Sequence, residues 1–145
     1  MNIKKYCRNG LMLILLAWLP LAQADISGFW KTFDDHTGQA KSIVEIFSRE
    51  DGQYTGKVHE LLLDPPDSIC EECRGERRNQ PVVGMTIITG LEKNGDEYSG
   101  GTILDPENGR EYRARLWLEK ENTLKVRGYL AFLFRTQSWQ RVEAP

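Results

Sequence analysis

The stretch Tyr112-Arg113-Ala114-Arg115-Leu116-Trp117-Leu118, parted by a short polar segment from Leu124-Lys125-Val126-Arg127-Gly128-Tyr129-Leu130, decides the fold. In the first run Tyr112, Ala114, Leu116 and Leu118 share one face; in the second, Leu124, Val126, Gly128 and Leu130 do so. Successive side chains of a strand point to opposite sides, so this alternation is what half-buried antiparallel strands require. Arg135 to Val142 reads as a further strand closing the chain.

Working back from these runs, the chain is strands and punctuation. Gly28–Phe33, Lys41–Ser48, Tyr54–Leu62, Val82–Leu91 and Tyr98–Leu104 are rich in β-branched and aromatic residues and are bounded by turn chemistry. Asn94-Gly95 is a hairpin signal. In Asp105-Pro106-Glu107-Asn108-Gly109, Pro fixes φ and Gly supplies positive φ. About eight short strands joined by hairpins predict an all-β sandwich or an antiparallel up-and-down barrel. Closure would leave no exposed edge and an interior able to hold one small ligand. The long connection from Leu63 to Pro81 starts with Pro65-Pro66, which bars a strand. Ser68-Ile69-Cys70-Glu71 resembles a capping box, predicting a short helix to Arg74 that ends at Gly75.

The chain's first residues predict export. Lys4, Lys5 and Arg8 precede an apolar run from Leu11 to Leu21, which is shorter than the ~20 residues needed to span a bilayer. Ala22-Gln23-Ala24 fits signal-peptidase cleavage, so residues 1–24 are expected to be a signal peptide and 25–145 one domain, periplasmic or secreted, with no lasting membrane anchor. Cleavage removes three basic residues and no acidic ones, moving the formal net charge from −2 to about −5. That balance weighs against nucleic acid and anionic membranes as partners. The remainder, roughly 120 residues, suffices for one core.

Taken in order, the residues resemble DUF2147, a family of secreted bacterial proteins. The matching pieces are Gly28-Phe29-Trp30-Lys31-Thr32, Thr37-Gly38, Lys41-Ser42-Ile43-Val44, Tyr54-Thr55-Gly56-Lys57-Val58, Cys70-Glu71-Glu72-Cys73-Arg74-Gly75 and Pro81-Val82-Val83-Gly84-Met85. Further on come Gly100-Gly101-Thr102-Ile103-Leu104-Asp105-Pro106, Asn108-Gly109, Tyr112, Val126-Arg127-Gly128-Tyr129 and Arg135-Thr136-Gln137 with Trp139 and Arg141. The link between Tyr129 and Arg135 is shorter than is common in the family, and Phe134 stands where a Gly usually precedes the Arg. The resemblance implies a lipocalin-like barrel and an envelope or secreted location, and no established reaction.

Several constellations bear on function. Cys70 and Cys73 are the cysteines left after cleavage; they read best as a disulfide staple in the long connection, ahead of a redox pair or a metal site. Gly28-Phe29-Trp30 is similar to the Gly-x-Trp that opens lipocalin strands, which implies structural roles for Gly28, Trp30 and Arg141, the guanidinium lying over the indole. Asp34-Asp35-His36-Thr37-Gly38 reads as a turn. No catalytic motif is present, so no catalytic residue, metal or cofactor is expected. Arg113, Arg115, Arg127 and Arg135 read first as a solvated outer face and, more sharply, as an anion-accepting mouth. Tyr54, Tyr98, Tyr112, Trp117, Tyr129 and Trp139, with Arg127, are the candidate lining of a site for a small apolar or amphipathic molecule. The reading that follows is a non-catalytic binding protein for a mostly apolar ligand. The rivals are an envelope structural or interaction protein with a filled core and, third, an enzyme.

Amino-terminal sequencing of the exported protein is expected to begin at Asp25; a start more than a few residues away would contradict the cleavage assignment.

Overall fold

The computed structural model describes residues 24–145, so the expected signal peptide lies outside the described residues except for Ala24. Eight strands follow one another: β1 (Gly28–Phe33), β2 (Ala40–Ser48), β3 (Tyr54–Leu61), β4 (Thr86–Asn94), β5 (Glu97–Asp105), β6 (Arg110–Lys120), β7 (Thr123–Leu130) and β8 (Leu133–Val142). Each is antiparallel to the next, and β8 returns to β1, so the sheet closes into an up-and-down barrel. The inward faces of β6 and β7 are the ones the alternation indicates. Ala114 and Leu116 on β6, and Leu124 and Val126 on β7, are buried.

Two elements differ from the sequence reading. β4 starts at Thr86 rather than Val82, because Val82 donates its amide to the Ser68 carbonyl and Met85 turns back onto Val82. The connection before it holds a 3₁₀ turn at Gly75–Arg77 in place of a helix over Ser68–Arg74. There the Ser68 hydroxyl donates to the Pro65 carbonyl instead of capping. The Cys70 backbone pairs with Gln80 and Asn79 beside an isolated Ile69–Pro81 bridge, and these bonds consume the groups a helix would need.

At one end the barrel is sealed. β1 and β8 meet over Phe29–Lys31 and Gln140–Val142, with Trp30 opposite Arg141. Trp30 is fully buried, and its indole N–H donates to the Ile26 carbonyl at 2.8 Å. The Arg141 guanidinium lies 4.2 Å from the ring centroid. It donates to the carbonyls of Ser27 (2.7 Å), Asp25 (2.7 Å) and Glu121 (3.1 Å). One side chain thus ties the amino-terminal segment, the β6–β7 turn and the last strand together. Gly28 makes room for it. Its φ of +128° disfavours a side chain, and a Cβ there would sit 2.9 Å from the guanidinium. Above this plug Ile46, Leu91, Leu116 and Leu124 fill the base, with Tyr54 and Tyr98 packed edge to face at 4.8 Å.

The Asp25 carboxylate is part of the same seal, accepting from the Ser27 amide (2.6 Å) and the Tyr54 hydroxyl (2.9 Å). Burial works to raise its pKa, but the hydrogen bonds from Ser27 and Tyr54 and the charge of Lys93 outweigh it and hold the group below its ordinary value. Burial and the neighbouring Asp25 carboxylate push the Tyr54 phenol upward.

Trp30→Ala removes a wholly buried ring and is expected to cost about 3–5 kcal/mol. Arg141→Ala removes charge-assisted bonds to backbone carbonyls and is expected to cost about 2–3 kcal/mol. Arg141→Lys should restore little, because one ammonium does not span three carbonyls on separate segments. Chemical denaturation of the single and double variants should show non-additive losses; additive ones would mean that the two residues do not act as a unit. Asp25→Asn should lower stability at neutral pH. Because the folded-state pKa is depressed, the stability Asp25 contributes is present above the ordinary carboxylate pKa and lost as pH falls through the lowered value. The gap between wild type and variant should therefore close in acid.

Candidate functional site

The end opposite the seal is hollow. A cavity of about 340 Å³ opens there to solvent, walled by Val44, Ile87, Ile103, Leu104, Val126 and Trp139. The cause lies in side-chain size at one level of the barrel. Ala114 and Gly128 face each other across β6 and β7. On the other side Thr32 and Ser42 pair across β1 and β2, where the base has Trp30 beside Val44. The Thr32 and Ser42 hydroxyls bond to each other at 2.7 Å, so this polar part of the wall is internally satisfied. Gln137 is held on both sides: its carbonyl accepts from the Trp139 indole N–H (3.0 Å), and its amide donates to Asp35 (2.8 Å).

Ion pairs at the strand ends and loops ring the mouth. Lys41 meets Glu107 at 2.8 Å, and Arg135 bridges from Asp35 (3.2 Å) to Asp105 (3.9 Å). The Arg135 side chain is well exposed, so these contacts hold the loops weakly, and an incoming anionic group could exchange for either carboxylate. A second hollow of about 300 Å³ runs beneath the β3–β4 connection and shares Lys41, Ser42, Ile87 and Pro106 with the first. That connection is pinned. Cys70 and Cys73 are disulfide-bonded and buried, and Arg77 pairs with Glu111. Gly109, at φ +66°, brings the β5–β6 turn so close that a Cβ would stand 1.9 Å from the Glu72 carbonyl oxygen.

Of the candidate lining residues, Tyr112 and Trp139 reach the cavity wall. Tyr54 and Tyr98 point inward but belong to the filled base. Trp117, Arg127 and Tyr129 face outward, as their parity on β6 and β7 dictates: each alternates with a residue of the buried set, and Trp117 pairs across to Lys125. The structure therefore does not bring the seven residues together. Of the four arginines read as an anion-accepting mouth, Arg135 is at the rim of this cavity. Sequence reasoning passed over Thr32, Ser42 and Gln137, although Gln137 shares the inward parity of Trp139 along β8.

On the outer face Arg127 lies between the rings of Trp117 (5.1 Å) and Phe134 (4.5 Å) and donates to the Thr136 hydroxyl. Arg115 pairs with Glu97. Burial would raise the Tyr129 phenol, but the neighbouring Arg127 and Arg115 guanidiniums draw its pKa below the ordinary value. Asp34 accepts from the His36 and Thr37 amides and the Thr37 hydroxyl, so Asp34–Gly38 forms a turn. His59 packs edge-on against Phe29. Among the described residues no group of three or more His, Cys, Asp or Glu side chains is placed to hold a metal ion.

A family profile described as an uncharacterized protein conserved in bacteria (DUF2147) matches residues 28–141. Among solved structures, protein HP1028 from the human pathogen Helicobacter pylori, described as belonging to the lipocalin family, superposes with a TM-score of 0.73 at 17% identity. The match covers 83% of this chain and 85% of that one. At that identity the likeness speaks for the barrel alone. No protein of curated function matches the chain.

Gly109→Ala is expected to strain the turn by about 1–3 kcal/mol and to push it off the disulfide loop. Limited proteolysis should then nick the segment 62–85 faster than in wild type; unchanged cleavage would show that the turn does not brace that loop.

Proposed function

The chain belongs to DUF2147, a family whose description carries no reaction, and from its geometry we propose a periplasmic or secreted binding protein that holds a small, mostly apolar molecule in the barrel mouth without transforming it. The observation that carries this reading is the division of the interior: a packed, sealed base and an open apolar cavity above it. A volume near 340 Å³ lies in the lower part of the ~300–1,000 Å³ range usual for ligand pockets. The ligand's apolar body would rest on Val44, Ile87, Val126 and Trp139. Its polar end would lie toward the rim, where Lys41 and Arg135 offer cations held only by exchangeable partners. The lipocalin-like barrel supports a binding role in general terms.

Native mass spectrometry of protein purified from its own envelope is expected to show a recurrent small added mass. Val126→Phe, which places a ring in the cavity, should keep the melting temperature within a few degrees and lose the added mass. Protein that is always free of ligand, or a ligand retained undiminished by Val126→Phe, would contradict this reading.

A further inference from the structure

The β7–β8 hairpin departs from what folding alone would select. β7 and β8 pair out to Leu130 and Leu133, so a two-residue loop, Ala131-Phe132, turns the chain. Ala131 sits at φ +55°, where such loops favour Gly or Asn. Phe132 at the tip is 89% exposed, and Leu130, Leu133 and Phe134 beside it are 45%, 63% and 60% exposed. Local rules broken together without a packing gain mark functional positions. On the β1 side the hairpin's backbone is unpaired, because β8 pairs with β1 only over Gln140–Val142; there Arg135 and Gln137 reach Asp35 through side chains alone.

The surroundings of this apolar tip are cationic and aromatic. Arg113 faces Tyr129 across the strands, and Arg115 faces Arg127. Glu97 offsets Arg115, and Asp35 and Asp105 offset Arg135. Arg113 and Arg127 have no carboxylate partner among the described residues. Trp117, Tyr129 and Phe134 lie among them. An apolar tip below a belt of Trp, Tyr and Arg is the arrangement that suits the boundary between acyl chains and headgroups. The whole chain is acidic, yet charges beyond a Debye length of about 8 Å are screened, so the contact patch decides the sign.

We propose that the β7–β8 hairpin docks the barrel on an anionic lipid surface, Phe132 and Leu133 entering the acyl region while Arg113 and Arg127 meet lipid phosphates. A second copy of the chain suits the patch less well. A convex two-residue tip offers little area against the ~800 Å² per partner of a stable interface, and a two-fold contact would set these arginines against each other. Docking in this orientation presents the cavity mouth to the lipid, since Leu130, Leu133 and Phe134 form its rim. The docking itself does not depend on the cavity being occupied.

Flotation of the chain from Asp25 onward with phosphatidylcholine vesicles, with and without ~30% phosphatidylglycerol, tests the proposal. Binding is expected to the anionic vesicles alone and to weaken at high salt. Phe132→Ser/Leu133→Ser should abolish it, and Arg113→Gln and Arg127→Gln should each weaken it about five-fold. Circular dichroism melts should be unchanged for the tip variant, whose residues contribute little to the core. Val126→Phe should float like wild type, which separates this result from the fate of the cavity reading. Equal binding to both vesicle types, binding indifferent to the tip, or a concentration-dependent dimer that the tip variant abolishes would overturn the proposal.

Discussion

Arg141 lies over the Trp30 indole while its guanidinium gathers the carbonyls of Asp25, Ser27 and Glu121, and the closure of the barrel rests on this contact. The first and last strands share only a short register, Phe29–Lys31 against Gln140–Val142, too little ladder to hold a sheet shut unaided. What completes the joint is a buried aromatic body with a charge-assisted fork across its face. The fork reaches segments that are far apart in sequence but adjacent once the sheet has curled. Gly28 belongs to this joint as much as the two side chains do, since any Cβ there would displace the guanidinium.

Sealing one end determines what the other can be. With the large side chains Trp30, Tyr54, Tyr98, Leu91 and Leu116 used at the base, the level above is set by Ala114, Gly128, Thr32 and Ser42, and the interior opens. Paired hydroxyls satisfy the polar part of that wall without water, leaving a largely apolar surface. The loops around the mouth are tied to neighbouring strands by partly exposed ion pairs, which fix their positions loosely and leave cations available to a ligand's polar end. The contrast between a rigid base and a weakly tied mouth suits a module that admits and releases a guest.

The strands were legible because a half-buried sheet writes its inward face every second residue. Ala114, Leu116, Leu124 and Val126 are where the alternation puts them. The Gly28–Trp30–Arg141 relation was legible through resemblance to lipocalins, and the Cys70–Cys73 pairing through proximity in the chain. Two things were not. The short helix expected at Ser68 lost to long-range backbone bonds with Asn79, Gln80 and Val82, which no local pattern announces. The lining was sought among aromatics by type, whereas position along the barrel axis decides who lines a cavity. Tyr98 and Tyr112 both face inward, yet only the second lies on the open side of the packed layer. Small residues such as Gly128 and Ser42 make space by what they lack, and composition does not register an absence.

In the proposed binding mode a guest enters the mouth half of the barrel and is stopped by the packed base. Paramagnetic broadening of assigned methyl resonances by a fatty acid carrying a nitroxide near its terminal methyl tests it directly. Broadening is expected at Val126, Val44 and Ile87, with Ile46, Leu91 and Leu116 much less affected. Broadening centred on the base, or confined to the outer surface with the mouth methyls untouched, would contradict it.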